Sequence, residues 1–217
     1  MDGILRFKCE AKEIHEFYPE LIFVEEDLNP RIVGELILQD EQGLFVDSYQ
    51  IKIEPIPSFP SRFPYVFETG GRIPVNIDWH VFPDGHCCIK SIPEEALICK
   101  QGISLIRFLE QQVKPYFFNQ KYREINGFFL NERSHGLDGN IEFFEEKFNT
   151  KDLAQIVRGL YFIKQRKEPN RVEKCFCGSD LKYRKCHRDV YRLLEIFSND
   201  ELEIYINMII KSPKFKF

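Results

Sequence analysis

The sequence predicts an α+β fold. An antiparallel β-meander is flanked by helices, and a small C-terminal unit held by clustered Cys and His is closed by a terminal helix. Three observations carry this. Between residues 21 and 54, three β-rich runs are separated by turn-forming residues. Apolar residues recur at helical spacing in 4–18 and again in 103–118, 140–148, 151–166 and 189–210. Three Cys and one His fall within thirteen positions, 175–187. The expected division is a mixed domain over 1–150 and, over 151–217, a helical linker, the Cys/His unit and the terminal helix.

The chain of 217 residues is long enough for one medium domain and a smaller unit. A hydrophobic fraction of 43% with 21 Phe and 9 Tyr excludes a disordered chain. In 4–18, Ile4, Leu5, Phe7, Ala11, Ile14, Phe17 and Tyr18 mark an amphipathic helix, and Pro19 stops it because the residue before a proline avoids helix. Strands are expected at 21–24, 32–38 and 45–54, with Asp40-Glu41-Gln42-Gly43 as the turn between the second and third. Tyr49, Ile51 and Ile53 alternate with Gln50, Lys52 and Glu54. The segment 55–64 holds Pro55, Pro57, Pro60 and Pro64, so it is a rigid extended crossing rather than a central strand. A strand resumes at 65–68 and ends at Gly70-Gly71. Residues 72–90 read as irregular, and 211–217 as a frayed tail.

The formal net charge is −4, which gives no global reason to expect nucleic acid. From residue 164 to 192, however, ten Lys or Arg stand against four Asp or Glu. Such a stretch suits an acidic protein or a phosphate backbone, although most charge runs are solvated surface. No apolar run approaches the ~20 residues needed to cross a bilayer, and residues 1–10 carry no signal-peptide pattern. The expectation is a cytoplasmic protein with no membrane partner. There, the seven Cys are reduced, and clustering points to metal or catalysis rather than disulfides.

In Cys175-Phe-Cys177-Gly-Ser-Asp-Leu-Lys-Tyr-Arg-Lys-Cys186-His187, two thiols one residue apart are followed by a Cys-His pair. Zn2+ takes four such ligands in a tetrahedron, and a closed Cys₃His set is a structural site. Gly178-Ser179 lets the backbone turn beneath the ion, whose binding energy would substitute for a small core. The segment resembles the SEC-C motif, Cys-x-Cys-Gly-Ser followed by a basic and aromatic stretch (here 182–185) and then Cys with Cys or His. Asp180 stands where that pattern usually has Gly. The resemblance implies a docking module for a protein target.

The second constellation runs from the alternating strand 49–54 through Phe59-Pro60 and Phe63-Pro64 to Gly85-His86-Cys87-Cys88-Ile89. It resembles the ubiquitin-conjugating enzyme (UBC-like) family. There, a meander strand leads into a proline crossing, then to a His-Pro-Asn triplet, then to a Gly-x-x-Cys segment carrying the catalytic cysteine. The resemblance puts Cys88 at the nucleophile position, with Cys87 packing inward. The triplet is absent; His80 lies eight residues before Cys88, at the spacing usual for the family's Asn. His80 is therefore expected to stabilise an oxyanion or to deprotonate an incoming amine. Asp84, His86 and Cys87 flank the site.

By this resemblance, Cys88 would carry a ubiquitin-like or partner protein as a thioester, received from an activating enzyme, and transfer it to an amine. Such proteins belong with bacterial conjugation and antiphage defence. The alternative is a non-catalytic UBC-like scaffold whose zinc module binds a protein or nucleic acid. Nucleic acid is the lesser reading, since the module lacks paired aromatics on a sheet for base stacking. For Cys87-Cys88 the bland reading is two small buried side chains. Ser134 and His135 read as a loop capping the next helix in 131–145, and Cys9, Cys99 and Trp79 as packing residues.

Overall fold

The computed structural model describes residues 2–26, 29–130 and 132–216. It is a mixed α+β chain with one four-stranded antiparallel sheet in the order β1-β2-β3-β4. Two compact units are present. The first comprises residues 1–90 and 101–132, the second 91–100 and 133–217. Two of the sequence readings reach beyond the described residues, the loop at its start (Asn131) and the tail at its end (Phe217).

In the first unit, α1 (Gly3–Ala11) and α2 (Ile14–Phe17) replace the single expected helix. The break falls at Lys12-Glu13, and Tyr18 ends α2 before Pro19 as expected. The meander then runs β1 (Leu21–Val24), β2 (Arg31–Gln39), β3 (Phe45–Glu54) and β4 (Tyr65–Glu68). The β2–β3 turn is built by Asp40, whose carboxylate accepts from the Gln42 and Leu44 amides. Gly43 there has φ 79°, a conformation glycine adopts without steric cost. Tyr49, Ile51 and Ile53 all face the core, as their alternation requires. After β4, the Glu68 carboxylate accepts from the amides of Gly70, Arg72 and Ile73 and turns the chain.

The proline crossing is anchored by buried Phe59 and Phe63. Their rings meet Phe7 at 6.2 Å and Phe108 at 4.8 Å. One long helix closes the unit. It comprises α4 (Leu105–Phe108), a π-helical segment (Leu109–Val113) and α5 (Lys114–Asn126), reaching well past the expected end at residue 118. Between α2 and α5, in sequence, residues 92–100 form a helix that belongs to the second unit; this α3 (Ile92–Lys100) has no counterpart in the sequence reading. Residues 72–90 hold a single 3-10 turn (Ile77–Trp79) and a short ribbon described below.

The second unit packs α3, α6 (Gly136–Phe148), α7 (Leu153–Lys164), α8 (Arg188–Leu194) and α9 (Asn199–Ile210) around one apolar core. Two helices stand where one was expected over 189–210. Ser198 and Glu201 form a capping box that starts α9 afresh. The tail is not frayed. Ser212 is buried, Phe215 packs on the core and Lys214 pairs with Asp138 at 3.0 Å. Cys175 and Tyr183 lie inside this same core, so the Cys-rich segment is part of the helical unit. Among the described residues, no helix is long and apolar enough to cross a membrane.

Candidate functional site

In the first unit, residues 80–82 and 86–88 pair as a two-stranded antiparallel ribbon. The Phe82 amide donates to the His86 carbonyl at 2.9 Å and the Cys88 amide to the His80 carbonyl at 2.7 Å. Val81 and Cys87 are bridge partners between these bonds. The turn is closed by the Gly85 amide donating to the Phe82 carbonyl at 2.8 Å, with Gly85 at φ 91°. The Cys87 amide ties the ribbon to β4 through the Val66 carbonyl at 2.7 Å.

Side chains alternate on such a ribbon. Val81 and Cys87 are buried on one face, Cys87 being 5% exposed. Burial pushes the Cys87 thiol up to about 12, which keeps it protonated and unreactive at neutral pH. Cys88 lies on the other face and is partly exposed.

The loop before Cys88 is held by one face of α5. Tyr116 Oη donates to the His80 carbonyl at 3.0 Å, Gln120 Nε2 to the Trp79 carbonyl at 2.8 Å, and Arg123 Nη1 to the Asp78 carbonyl. Residues 116, 120 and 123 share a helical face, so three successive carbonyls are satisfied by three successive turns. Arg123 also lies over the Trp79 ring, 4.3 Å from its centroid.

His80 is directly opposite Cys88, but the bond joining them is made by backbone. Its left-handed conformation (φ 53°, ψ 40°) takes it out of the pleat, and its ring packs edge-on against Phe129 at 4.8 Å. Asp84 sits in the turn, where its carboxylate contacts the His86 Nδ1 at 2.6 Å. Its pKa is lowered because the His86 side chain and amide outweigh the opposing effect of burial, which is the largest single influence. His86, expected to flank the site, stacks on Phe82 at 4.3 Å and lies 4.7 Å from the Tyr65 ring.

In the second unit, Cys175, Cys177, Cys186 and His187 converge, with all four donor atoms within 4.8 Å of one another. The Cys175 Sγ is 3.4 Å and the Cys186 Sγ 3.1 Å from His187 Nδ1, and the Cys177 and Cys186 sulfurs are 3.6 Å apart. These separations fit one four-coordinate ion. A short hairpin positions the first two ligands. The Cys175 amide donates to the Leu181 carbonyl at 2.9 Å, and Lys174 and Lys182 are bridge partners. Gly178 at φ 83° makes the turn between them. The other two ligands close the 3-10 turn Tyr183–Lys185 and open α8.

The second layer is also set. His187 Nε2 lies 3.2 Å from the Phe148 carbonyl, which accepts its N–H and leaves Nδ1 for the ion. Ser179 Oγ lies 3.2 Å from the Cys177 Sγ and 3.5 Å from the Cys186 Sγ. Burial pushes the Cys175 thiol up to about 12, so a bound cation would be needed to hold it as a thiolate at neutral pH. Phe176 stacks on Phe162 at 4.5 Å and fixes the hairpin to α7.

The basic stretch divides in two. Lys164 pairs with Glu203, Arg192 with Glu168 and Lys174 with Asp180. Arg166 caps the chain at the carbonyls of Glu195 and Phe197. Lys167, Arg171, Lys182, Arg184 and Lys185 are exposed and form no ion pair among the described residues.

Comparison with known proteins matches one segment of this chain. No curated protein and no solved structure matches it. The SEC-C motif matches residues 173–189, which contain all four converging ligands.

Proposed function

We propose that the first unit is a ubiquitin-conjugating-like domain that carries a ubiquitin-like or partner protein as a thioester on Cys88 and delivers it to an amine. The observation that carries this reading is the position of Cys88. It follows two short helices and a four-stranded meander whose last two strands are joined by the proline crossing, and it sits on the partly exposed face of a ribbon whose other face buries Cys87. Thiolate is the better nucleophile at neutral pH, and a shallow site on a ribbon suits a protein substrate. The loop preceding Cys88 is held rigidly by Tyr116, Gln120 and Arg123, as transfer chemistry requires of its surroundings.

Zn2+ is the ion the second unit would hold. With Zn–S near 2.3 Å and Zn–N near 2.0 Å, a tetrahedron places sulfurs about 3.8 Å apart and sulfur and nitrogen about 3.5 Å apart. The observed 3.6 Å and 3.1–3.4 Å lie close to those values. Bound there, the ion cross-links the hairpin to α8 and supplies no open coordination position. Lys167, Arg171, Lys182, Arg184 and Lys185, which form no ion pair among the described residues, suit an acidic protein target, which this unit would bring to the conjugating-like domain.

The test is reconstitution with a cognate activating enzyme, ATP and the ubiquitin-like protein. Wild type is expected to form a thiol-sensitive adduct and Cys88→Ser a stable oxyester. If neither takes up any modifier, the chain is instead a non-catalytic scaffold with a metal-held docking unit.

A further inference from the structure

We propose that His86, held by Asp84, is the general base that activates Cys88. The inference rests on the conjugating-like reading of Cys88 but is tested without it.

Register supplies the first argument. Cys87 points inward, so His86 and Cys88 are neighbours on the outer face of the same strand, with Cβ atoms about 7 Å apart from two residues of rise. The ring contact supports that face assignment. Phe82, the cross-strand partner of His86, stacks on it at 4.3 Å with planes 26° apart. At that separation an imidazole can reach a thiol, directly or through one water.

The imidazole is also held in place. Asp84 Oδ1 is 2.6 Å from Nδ1 and 3.3 Å from the His86 amide. A carboxylate on Nδ1 fixes the tautomer with its proton there, leaves Nε2 as the basic nitrogen, and stabilises the imidazolium once it forms. Phe82 and Tyr65 both lie against the ring, at 4.3 and 4.7 Å, so its orientation is restricted. This is a base oriented by a third group, next to a nucleophile. His80, the residue at the spacing of the family's Asn, has its ring against Phe129.

The step balances. The Cys88 Sγ–H bond breaks and the proton passes to His86 Nε2. The thiolate attacks the carbonyl carbon of the incoming thioester, and the new S–C bond forms as the donor's S–C bond breaks. The departing donor thiolate takes the proton back from the imidazolium. The titratable groups against the ring are Asp84 on its own turn and Tyr65 on β4, and those that interact electrostatically with Cys88 include its neighbour Cys87 and Tyr116 on α5.

The experiment is the rate of Cys88 alkylation by iodoacetamide against pH, read by peptide mass mapping on the full, metal-loaded chain. It needs no partner protein. In wild type the profile is expected to have its midpoint below the ~8.5 of a free thiol. In His86→Gln it moves up by about one unit, and the rate at pH 7 falls about tenfold. Asp84→Asn, which alters one exposed carboxylate, moves it the same way by about threefold in rate and carries the test if the first variant does not fold. Profiles that coincide in wild type and the folded variants overturn the assignment. Thioester uptake through Cys88 is a separate measurement, so its failure would sink the conjugating reading while leaving this result intact.

Discussion

The hydroxyl of Tyr116 donates to the carbonyl of His80 at 3.0 Å, and that same oxygen accepts the Cys88 amide at 2.7 Å. The helix therefore sets the position of the thiol through one shared acceptor. Tyr116 is buried, so its hydroxyl has no water to replace the bond. Tyr116→Phe is expected to cost about 1 kcal/mol of stability in denaturant unfolding. It is also expected to loosen the ribbon, read as faster hydrogen exchange at the Cys88 amide. An unchanged exchange rate would show that the ribbon holds itself without the helix.

Metal removal is expected to destabilise the second unit, because Cys175, Cys186 and His187 join the hairpin to its helical core. Chelation should lower the melting temperature, and Cys175→Ser should do so even with metal present. The sign with pH follows from the ligands. Protons compete with the ion for the thiols, so the stabilisation it gives is present at neutral pH and lost as pH falls. Melting curves with metal between about pH 7 and pH 5 check this.

Gly159 on α7 leaves room for Phe148, whose carbonyl orients His187. A Cβ there would lie 2.4 Å from the Phe148 ring. Gly159→Ala is expected to cost about 1–3 kcal/mol through overpacking. It should also weaken metal binding, measured by competition with a chromogenic chelator. Unchanged affinity would mean that the Phe148 carbonyl is not what positions the imidazole.

In the first unit, Arg72 bridges Asp47 and Glu124, each at 2.6 Å, and Lys121 adds a contact to Asp47 at 2.8 Å. The Arg72 guanidinium holds the Asp47 carboxyl well below the usual carboxylate range. A depressed folded-state pKa gives stability that is present above the unfolded value of ~3.9 and lost as pH falls towards the folded value. Asp47→Asn should cost about 1–2 kcal/mol at pH 7 and much less at pH 2. Equal costs at both pH values would remove the ion pair from the account.

Local pattern was legible in the sequence, and pairing was not. Tyr49, Ile51 and Ile53 marked β3 because a half-buried strand alternates, and the Cys/His cluster was visible because metal ligands must be close in space and here are close in sequence. Helix α3 escaped because its buried residues, Pro93, Glu95, Leu97 and Cys99, alternate like a strand. The start of α9 was in fact written in Ser198-Asn-Asp-Glu201, a capping-box spacing that continuous apolar periodicity obscured. The clamp of Tyr116, Gln120 and Arg123 was hidden because its acceptors are backbone carbonyls about forty residues away, which no side-chain pattern reports. His86 was legible as a flanking residue, but a role for it was not, for the same kind of reason. Its face depends on the register between 80–82 and 86–88.

Thiol mapping of the folded, metal-loaded chain decides whether Cys88 is open to chemistry. A small alkylating reagent is expected to label Cys88 and the exposed Cys9 while Cys87, Cys99 and the three cysteines of the metal cluster stay protected. Protection of Cys88 to the same degree as Cys87 would contradict it, because a sulfur that iodoacetamide cannot reach cannot receive a protein.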